Sequence, residues 1–156
     1  MVSTSISTAI ITVAGVIMAS MLAIALLSQV GAVDSALKVV SKNVMERMKT
    51  SIDIVQVAQN GTYFVVYVKN TGSRGISQSE LEKTDIYFGQ DCSRLYLYNT
   101  SGLWIWNYSE TDVDGVWSPG ETLIVRIYNG SSLGDPPYCI KIVLPNGVSD
   151  EDTFTE

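Results

Sequence analysis

The feature that most constrains this chain is an uncharged run of twenty-five residues at positions 6–30, ISTAIITVAGVIMASMLAIALLSQV. Eleven of these residues are Ile, Leu or Val, and together they favour membrane insertion by roughly 3 to 7 kcal/mol. Because a helix rises ~1.5 Å per residue, about twenty of them match a hydrocarbon core of ~30 Å. The run therefore predicts a membrane helix, and the rest of the chain is what this helix anchors.

The helical pattern continues past the uncharged run. Between positions 32 and 50, apolar side chains recur at three- and four-residue spacing, with charged side chains between them. One helix of about 45 residues is therefore predicted, and its second half has an apolar stripe that either the following domain or neighbouring subunits must cover. The predicted organisation is a helical region at 1–50 and one domain at 51–156. The stripe consists of Val33, Leu37, Val40, Val44 and Met48.

Small residues recur within the membrane run. Gly15, Ala19 and Ala23 are four residues apart and so lie on one helix face, where small side chains let a second helix approach closely. The alternative is that alanine is simply common in membrane helices. The spacing favours assembly of helices, as a homo-oligomer or a filament.

After position 50 the apolar period changes from 3.6 to 2. Short segments rich in β-branched and aromatic residues, separated by turn residues, are typical of strands. These features predict an α+β protein: a long N-terminal transmembrane helix followed by an antiparallel, immunoglobulin-like β-sandwich. Strands are predicted at 51–57, 62–69, 85–88, 94–98, 103–108, 122–128 and 138–144.

One predicted strand suggests a contact surface. Along 103–108, Trp104 and Trp106 alternate with Leu103 and Ile105, so both tryptophans share one face. Unless both faces of the sheet are covered, that face exposes tryptophan to solvent. Trp104 and Trp106 are therefore surface contact candidates.

Composition excludes several functions. The chain has a net charge of −6 and no histidine. From Asn70 onward, thirteen acidic residues face five basic ones, which argues against a nucleic-acid partner. The absence of histidine removes the commonest general base and the commonest zinc ligand. No phosphate-binding glycine loop is present either, so we expect no enzyme and no cofactor.

Two groups of carboxylates are candidate sites. Asp112 and Asp114, in the sequence TDVDG, resemble the start of a calcium loop, but the third carboxylate and the distal glutamate are missing. An acidic turn without metal is expected, with Asp112 and Asp114 as a weak calcium candidate. Glu80, Glu82 and Asp85 are expected to form a solvated face.

The chain has two cysteines, Cys92 and Cys139. An even number in an exported domain favours a disulfide, which would close a loop of about 47 residues and stabilise the fold by about 3 to 4 kcal/mol. A pair of buried free thiols is the alternative.

Two signals conflict over orientation. Four Lys or Arg residues lie between positions 38 and 49, which by the positive-inside rule places the following domain in the cytoplasm. Four N-x-S/T sequons instead favour an exported, glycosylated domain, although triplets of this kind also arise by chance. We expect an extracytoplasmic domain. The glycosylation candidates are Asn60, Asn99, Asn107 and Asn129.

Several segments resemble those of archaellum accessory proteins. They are ISTAIITVAGVIMASMLA at the start, VVYVKNTGSRGIS followed by TDIYFG, WSPGETLIVRI, and YCIKIVLPNGVSDEDTF near the end. On these segments the chain resembles the type IV pilin-like FlaG and FlaF proteins of the archaeal flagellum, with FlaG the nearer. The resemblance implies a non-catalytic stator component that is anchored in the membrane and contacts a FlaF-like partner and the surface layer.

The start of the chain distinguishes two roles within this resemblance. Filament-forming archaellins have a basic leader ending in glycine, and no such segment precedes Val2 here. This favours an accessory anchor over a filament subunit, unless a leader was removed upstream of this numbering. The alternative is a filament-forming archaellin or pilin-like subunit, in which many copies of the N-terminal helix form the filament core. A membrane-tethered carbohydrate- or calcium-binding module is a third possibility, based on the tryptophans and Asp112/Asp114 alone.

Overall fold

The computed structural model describes residues 2–61, 63–99, 104–112, 114–129 and 136–155. These residues form two compact units, Met1–Asn43 and Val44–Glu156. The division falls inside the first helix, so that the last turn of this helix belongs with the β-rich second unit. The predicted architecture, a long N-terminal helix followed by an antiparallel β-sandwich, is confirmed.

Helix α1 spans Val2–Lys49 without interruption. Its large apolar side chains are exposed, from 49% for Val44 to 81% for Met48. Hydroxyl groups within the apolar run donate to the carbonyl one turn earlier, as Thr12 Oγ1 does to Thr8 O and Ser20 Oγ to Val16 O, both at 2.8 Å. Such bonds satisfy the hydroxyls without water. The segment Ile6–Lys49 is long and apolar enough to cross a membrane.

The second unit is a β-sandwich of two four-stranded antiparallel sheets. Sheet 1 has the order β1-β2-β8-β6, sheet 2 has the order β10-β9-β4-β5, and β3 pairs with β7 in a small ribbon. All seven predicted strands are present, and a short helix α2 precedes β4. The bounds are β1 Ile52–Asn60, β2 Tyr63–Asn70, β3 Ile76–Ser77, α2 Gln78–Leu81, β4 Asp85–Gln90, β5 Leu95–Tyr98, β6 Trp104–Glu110, β7 Val116–Trp117, β8 Thr122–Asn129, β9 Tyr138–Val143 and β10 Ser149–Phe154.

Alternating side chains of the two sheets meet in one core. In β2, the residues Phe64, Val66 and Val68 are buried while the residue before each of them is half-buried, which is the alternation that a sheet packed on one face produces. An aromatic cluster fills one region, where the Phe64 ring lies 4.8 Å from that of Phe88 and 5.3 Å from that of Tyr138. Burial of these large rings supplies much of the driving force for folding.

Two of the motifs that carry the family resemblance build one corner of the sandwich. Asn70, in KNTG, is fully buried, and its Nδ2 donates to Arg74 O at 3.0 Å and to Trp117 O at 2.9 Å. In WSPGE, the indole Nε1 of Trp117 donates to Glu121 O at 3.0 Å, and Gly120 forms the turn with φ +85°, which glycine adopts without steric cost. The bond from Asn70 Nδ2 to Trp117 O therefore joins the two motifs, and each motif also contains a hydrogen bond of its own.

Strand β10 was not predicted. Its sequence SDEDTF contains three consecutive acidic residues, which are poor β formers. Tertiary contacts override this preference: the ladder pairs Ser149 with Val143 through Phe154 with Tyr138, and Phe154 packs against the core. Asp150 Oδ2 also accepts a hydrogen bond of 2.7 Å from Ile54 N. The edge position of β10 leaves its other acidic side chains room to reach solvent.

Candidate functional site

The apolar surface of α1 is the first candidate contact region. Gly15, Ala19 and Ala23 lie on this helix, and their side-chain positions are exposed. A Cβ placed on Gly15 would meet no atom within 4 Å, so a larger residue there fits within a single chain. The small-residue face is thus sterically open within a single chain, and its packing against another helix stays a prediction.

The end of α1 is fastened to the sandwich by the buried hydroxyl of Thr50. This hydroxyl donates to Glu46 O at 2.7 Å and accepts from Arg74 Nε and Asn146 Nδ2, each at 2.9 Å. Nearby, Ser73 N donates to Lys49 O at 2.8 Å. The close approach of two backbones leaves no room for a side chain on Gly72, whose Cβ would lie 2.5 Å from Lys49 O.

The prediction of a solvated face at Glu80, Glu82 and Asp85 is wrong for Glu80. A salt bridge of 2.5 Å joins Glu80 Oε1 to Arg74 Nη2, and Glu80 Oε2 accepts from Ser77 N at 3.1 Å in a capping box that starts α2. The hydrogen bond from Arg74, followed by those from Ser77, holds the pKa of Glu80 below its ordinary value despite partial burial. Glu82 and Asp85 are exposed, as predicted.

Trp106 is not a surface contact residue. It is 4% exposed and belongs to the core, because the face of β6 that bears it is the inner face of sheet 1. The predicted alternation is present, but the second sheet covers the tryptophan side. The side chain of Trp104 lies outside the described residues.

The carboxylate of Asp114 is bonded by the backbone of its own turn, whereas the bond at Asp112 is made by its backbone N–H. Asp114 Oδ1 accepts from Val116 N at 2.9 Å, and Asp112 N donates to Glu121 Oε1 at 3.0 Å. Among the described residues, no three His, Cys, Asp or Glu side chains are grouped so as to hold a metal ion. The neighbouring open cleft, of about 570 Å³, is lined by Gln78, Tyr108, Ser109, Glu110, Asp114 and Gly115.

Burial is the main cause of a raised pKa at Tyr108 in this cleft, with smaller contributions from the carboxylates of Glu82 and Glu110. A phenol with a raised pKa stays neutral at ordinary pH. Tyr108 therefore contributes a neutral hydrogen-bonding group to the cleft.

The two cysteines are joined in the structure. The Cys92 and Cys139 sulfurs are 2.04 Å apart, and the Cα atoms are 5.2 Å apart. Cys139 is buried in β9, whereas Cys92 lies exposed in the turn after β4. The bond therefore ties this turn to a central strand of sheet 2.

The sequons fall in two kinds of position. Asn60 ends β1, Asn129 ends β8, and Asn99 follows β5 and bridges to Ile105 near the start of β6. These three residues are at the end of the sandwich opposite to the point where β1 leaves α1. Asn107 instead lies in the middle of β6, paired with Arg126 of β8.

Sequence reasoning missed a surface on the outer side of sheet 1. Three tyrosines from β2 and β8 share it with aliphatic side chains and one arginine, all half-buried. The signal was present in the alternation of β2 (Tyr63, Val65, Tyr67) and of β8 (Ile124, Arg126, Tyr128), whose outer residues are as bulky as the inner ones. We call this surface the tyrosine face: Ala58, Tyr63, Val65, Tyr67, Ile105, Ile124, Arg126 and Tyr128.

Two solved structures of archaellum proteins have a similar fold. The chain is similar to the archaellum periplasmic stator protein FlaG of Sulfolobus acidocaldarius, with 28% identity and a TM-score of 0.57, covering 67% of this chain and 99% of that one. It is also similar to a chain of the stator protein complex FlaF and FlaG of the same organism, with 26% identity and a TM-score of 0.56, covering 66% of this chain and 87% of that one.

The sequence has relatives over almost its full length. An uncharacterized protein of Archaeoglobus fulgidus is 30% identical over 156 residues, which is 96% of both chains. The fold and the family are those of structural archaellum components, which are not enzymes. The resemblance to archaellum accessory proteins is thus confirmed. The model of archaeal-type flagellins matches residues 3–154, and the chain belongs to that family.

Proposed function

We propose that this protein is a non-enzymatic, stator-type accessory subunit of the archaellum. The observation that supports it is the likeness to the stator protein FlaG, of which 99% is matched by about two thirds of this chain. On this proposal α1 is the membrane anchor and the sandwich is the extracytoplasmic part that contacts other subunits.

The anchoring rests on the helix itself. Its segment Ile6–Lys49 reaches a mean hydropathy of 2.6 with none of its most apolar stretch buried in the protein. Exposed apolar surface of this extent is costly in water. Lipid around the helix removes that cost, and the sequons favour the outer side for the sandwich.

The partner assignment follows from the second similar structure. That structure is a complex of FlaF with FlaG, so a FlaF-like protein is the proposed partner of this sandwich. Contact with the surface layer, through that partner, is part of the same proposal.

Deletion of the gene in its native archaeon tests the function. Filaments are counted by electron microscopy and swimming is tracked separately. A stator role predicts that filaments remain but do not drive swimming, and that the full chain restores swimming whereas a chain lacking residues 6–30 does not. Loss of the filaments themselves would instead identify a filament subunit and overturn the stator proposal.

We also propose that the Gly15, Ala19 and Ala23 face packs against another helix. An Ala19→Leu variant should lower helix association in membranes, because the added bulk keeps the backbones apart. Ala14→Leu is the matched control, since it makes the same change on a different side of α1. Equal association of the two variants, measured by energy transfer between labelled copies, would contradict the packing.

Glycosylation is proposed at Asn60, Asn99 and Asn129 but not at Asn107. The first three lie at or directly after the ends of strands, which is where sequons are expected to be used. The side chain of Asn107 is exposed, but its backbone is fixed within the ladder, and the hydroxyl of its sequon serine, Ser109, accepts a hydrogen bond of 3.2 Å from Arg126. Mass mapping of glycopeptides from the native archaeon decides each site, and a glycan at Asn107 would contradict this distinction.

A further inference from the structure

Asn60 lies beside the tyrosine face, at the end of β1 and next to the turn that leads into β2. The ladder pairs Asn60 with Tyr63, Tyr63 with Tyr128, and Tyr128 with Ile105. Because cross-strand partners project on the same side of a sheet, Asn60 begins a row that crosses the tyrosine face from β1 to β6. The tyrosine face contains no carboxylate, and this row contains no charged side chain. A sequon asparagine is thus the first member of an aromatic row.

The side-chain amide of Asn60 contacts the first tyrosine of this row. Its Nδ2 donates to Tyr63 Oη at 3.0 Å. Asn60 is exposed and Tyr63 is half-buried, and Tyr128 lies on the other side of Tyr63, with a distance of 5.5 Å between the ring centroids. Among the sequon asparagines whose side chains the structure describes, Asn60 is the one that bonds an aromatic side chain. The side of the Tyr63 ring that faces β1 is therefore next to the nitrogen that a glycan would join.

The turn leaves room for a bulky group beside this amide. Gly61 follows Asn60 with φ +64°, and a Cβ placed on it would meet no atom within 4 Å. Nδ2 has two hydrogens, one of which is donated to Tyr63. In N-glycosylation, C1 of an oligosaccharide bonds to Nδ2, Nδ2 loses one proton, and the lipid phosphate that carried the oligosaccharide leaves. The sugar then replaces one hydrogen, and the first sugar ring begins beside Tyr63.

We propose that the first sugar of an N-linked glycan on Asn60 packs against the ring of Tyr63. This inference rests on the proposed glycosylation of Asn60. The C–H groups on one side of a pyranose ring are apolar and carry a slight positive charge, whereas the face of an aromatic ring is negative. Their contact covers apolar surface of Tyr63 that is otherwise in water. The hydrogen that remains on Nδ2 can still be donated to Tyr63 Oη. The glycan therefore holds the end of the β1–β2 hairpin together.

Tyr67 provides a matched comparison for Tyr63. It lies on the same strand and the same face and is also half-buried. Its partner in the ladder is Gln56 rather than a sequon asparagine. Four residues along a strand, at ~3.3 Å each, separate the two tyrosines by ~13 Å. A sugar bonded to Asn60 that packs on Tyr63 therefore does not reach Tyr67.

A double-mutant cycle between the glycan and the ring tests the proposal. The full chain is purified in detergent from the native archaeon, and Thr62→Ala removes the sequon without changing Asn60. With Tyr63 present, the glycan should lower the equilibrium constant of unfolding about threefold to tenfold, which is the size of an aromatic contact. With Tyr63→Thr, the glycan should change this constant less than twofold. The same four chains made without glycan in a bacterial host correct for the direct effects of the substitutions.

Two further variants separate the ring of Tyr63 from other causes. Tyr63→Phe keeps the ring and removes the hydroxyl, so the stabilisation by the glycan should persist. Tyr67→Thr makes the control change on the same strand and should also leave that stabilisation in place. If Tyr63→Phe abolishes the stabilisation, it depends on the hydroxyl and the ring contact is overturned. If Tyr67→Thr reduces it as much as Tyr63→Thr does, the glycan acts on the strand as a whole, which also overturns the contact.

The outcomes separate this inference from the proposed function. Mass mapping of the native chain shows whether Asn60 carries a glycan. A glycan at Asn60 whose effect on unfolding is the same with Tyr63 and with Tyr63→Thr overturns the ring contact and leaves the glycosylation and the stator role intact. An unmodified Asn60 overturns both the contact and the glycosylation proposed at this position. Normal swimming after gene deletion overturns the stator role and leaves the contact standing.

Discussion

Leu22 of α1 is 63% exposed, whereas Leu123 of β8 is 4% exposed, and Val16 and Val66 differ in the same way at 62% and 0%. The residue types are the same in the two regions, but the order of apolar and polar residues along the chain differs. In α1 the apolar residues occupy all sides of the helix, so no single partner element can cover them. In the sandwich they alternate with polar residues, and each sheet covers the other. The sandwich therefore supplies its own apolar environment, whereas the apolar surface of the helix is left uncovered within a single chain.

The largest expected effect comes from removing a ring in the sandwich core. Phe88→Ala should lower the free energy of unfolding by about 3 to 5 kcal/mol, because it deletes a fully buried ring and leaves a cavity. Leu22→Ala should leave the unfolding of the sandwich unchanged. Unfolding of the full chain in detergent is followed by the fluorescence of the buried Trp106 and Trp117. A comparable loss in both variants would break the distinction between the two regions.

Loss of the disulfide should have the second largest effect on the free energy of unfolding. The Cys92→Ser, Cys139→Ser double variant loses a cross-link closing a loop of 47 residues, and chain entropy predicts a loss of about 4 kcal/mol as an upper value. The expected drop, about 2 to 4 kcal/mol, is measured by denaturant unfolding. A reducing agent should destabilise the wild-type chain by a similar amount and have no effect on the double variant. Stability that does not respond to reductant in the wild type would contradict this.

Two glycine substitutions sharpen the comparison at smaller cost. Gly72→Ala should destabilise the sandwich by about 1 to 3 kcal/mol, since the new Cβ would lie 2.5 Å from Lys49 O and 2.6 Å from Ser51 N. Gly31→Ala meets no atom within 4 Å and replaces a poor helix former with the best one, which favours the helix by about 0.5 to 1 kcal/mol. Thermal unfolding and helical circular dichroism of the two variants should therefore change in opposite directions.

The smallest effect concerns pH. Arg74 keeps the pKa of Glu80 below its ordinary 4.5 in the folded protein, so the stabilisation is fully present above about pH 4.5 and is lost as the pH falls through the lower, folded-state pKa. The pair is partly solvated, which limits its contribution to below about 1 kcal/mol. Glu80→Gln should remove that part of the pH dependence of stability, and the exposed control Glu82→Gln should retain it. Identical pH profiles of Glu80→Gln and the wild type would contradict the assignment.

The change of apolar period after residue 50 was sufficient to predict both the helix and the seven main strands. The apolar period within a short window of sequence indicates whether that window is a helix or a strand and which of its faces is buried. Strand β10 has no such signal in its sequence. It is held by the ladder to β9 and by the hydrogen bond from Ile54 N to Asp150, two residues that are 96 positions apart. Its formation depends on tertiary contacts, which local sequence preferences do not predict.

The candidate surfaces show the same limit. Alternation in β6 placed Trp104 and Trp106 on one face but could not say which face meets the second sheet, and the structure places Trp106 inside. The sequence around Glu80 did not indicate its partner. Arg74 and Glu80 lie on either side of β3, and they meet only in the folded chain. The tyrosine face combines residues of four strands, and its lack of carboxylates becomes visible only when the strand order is known.

The hydroxyl of Thr50 has a mechanical consequence. Thr50 is bonded to Arg74 and to Asn146, which precedes β10 of sheet 2, and Thr71 N donates to Ser51 O at 3.0 Å next to sheet 1. A force applied along the last helical turn would load these bonds together rather than one after another. Bonds loaded in parallel resist shear, whereas bonds loaded in series unzip. Tension on the last turn of α1 would then be shared by both sheets.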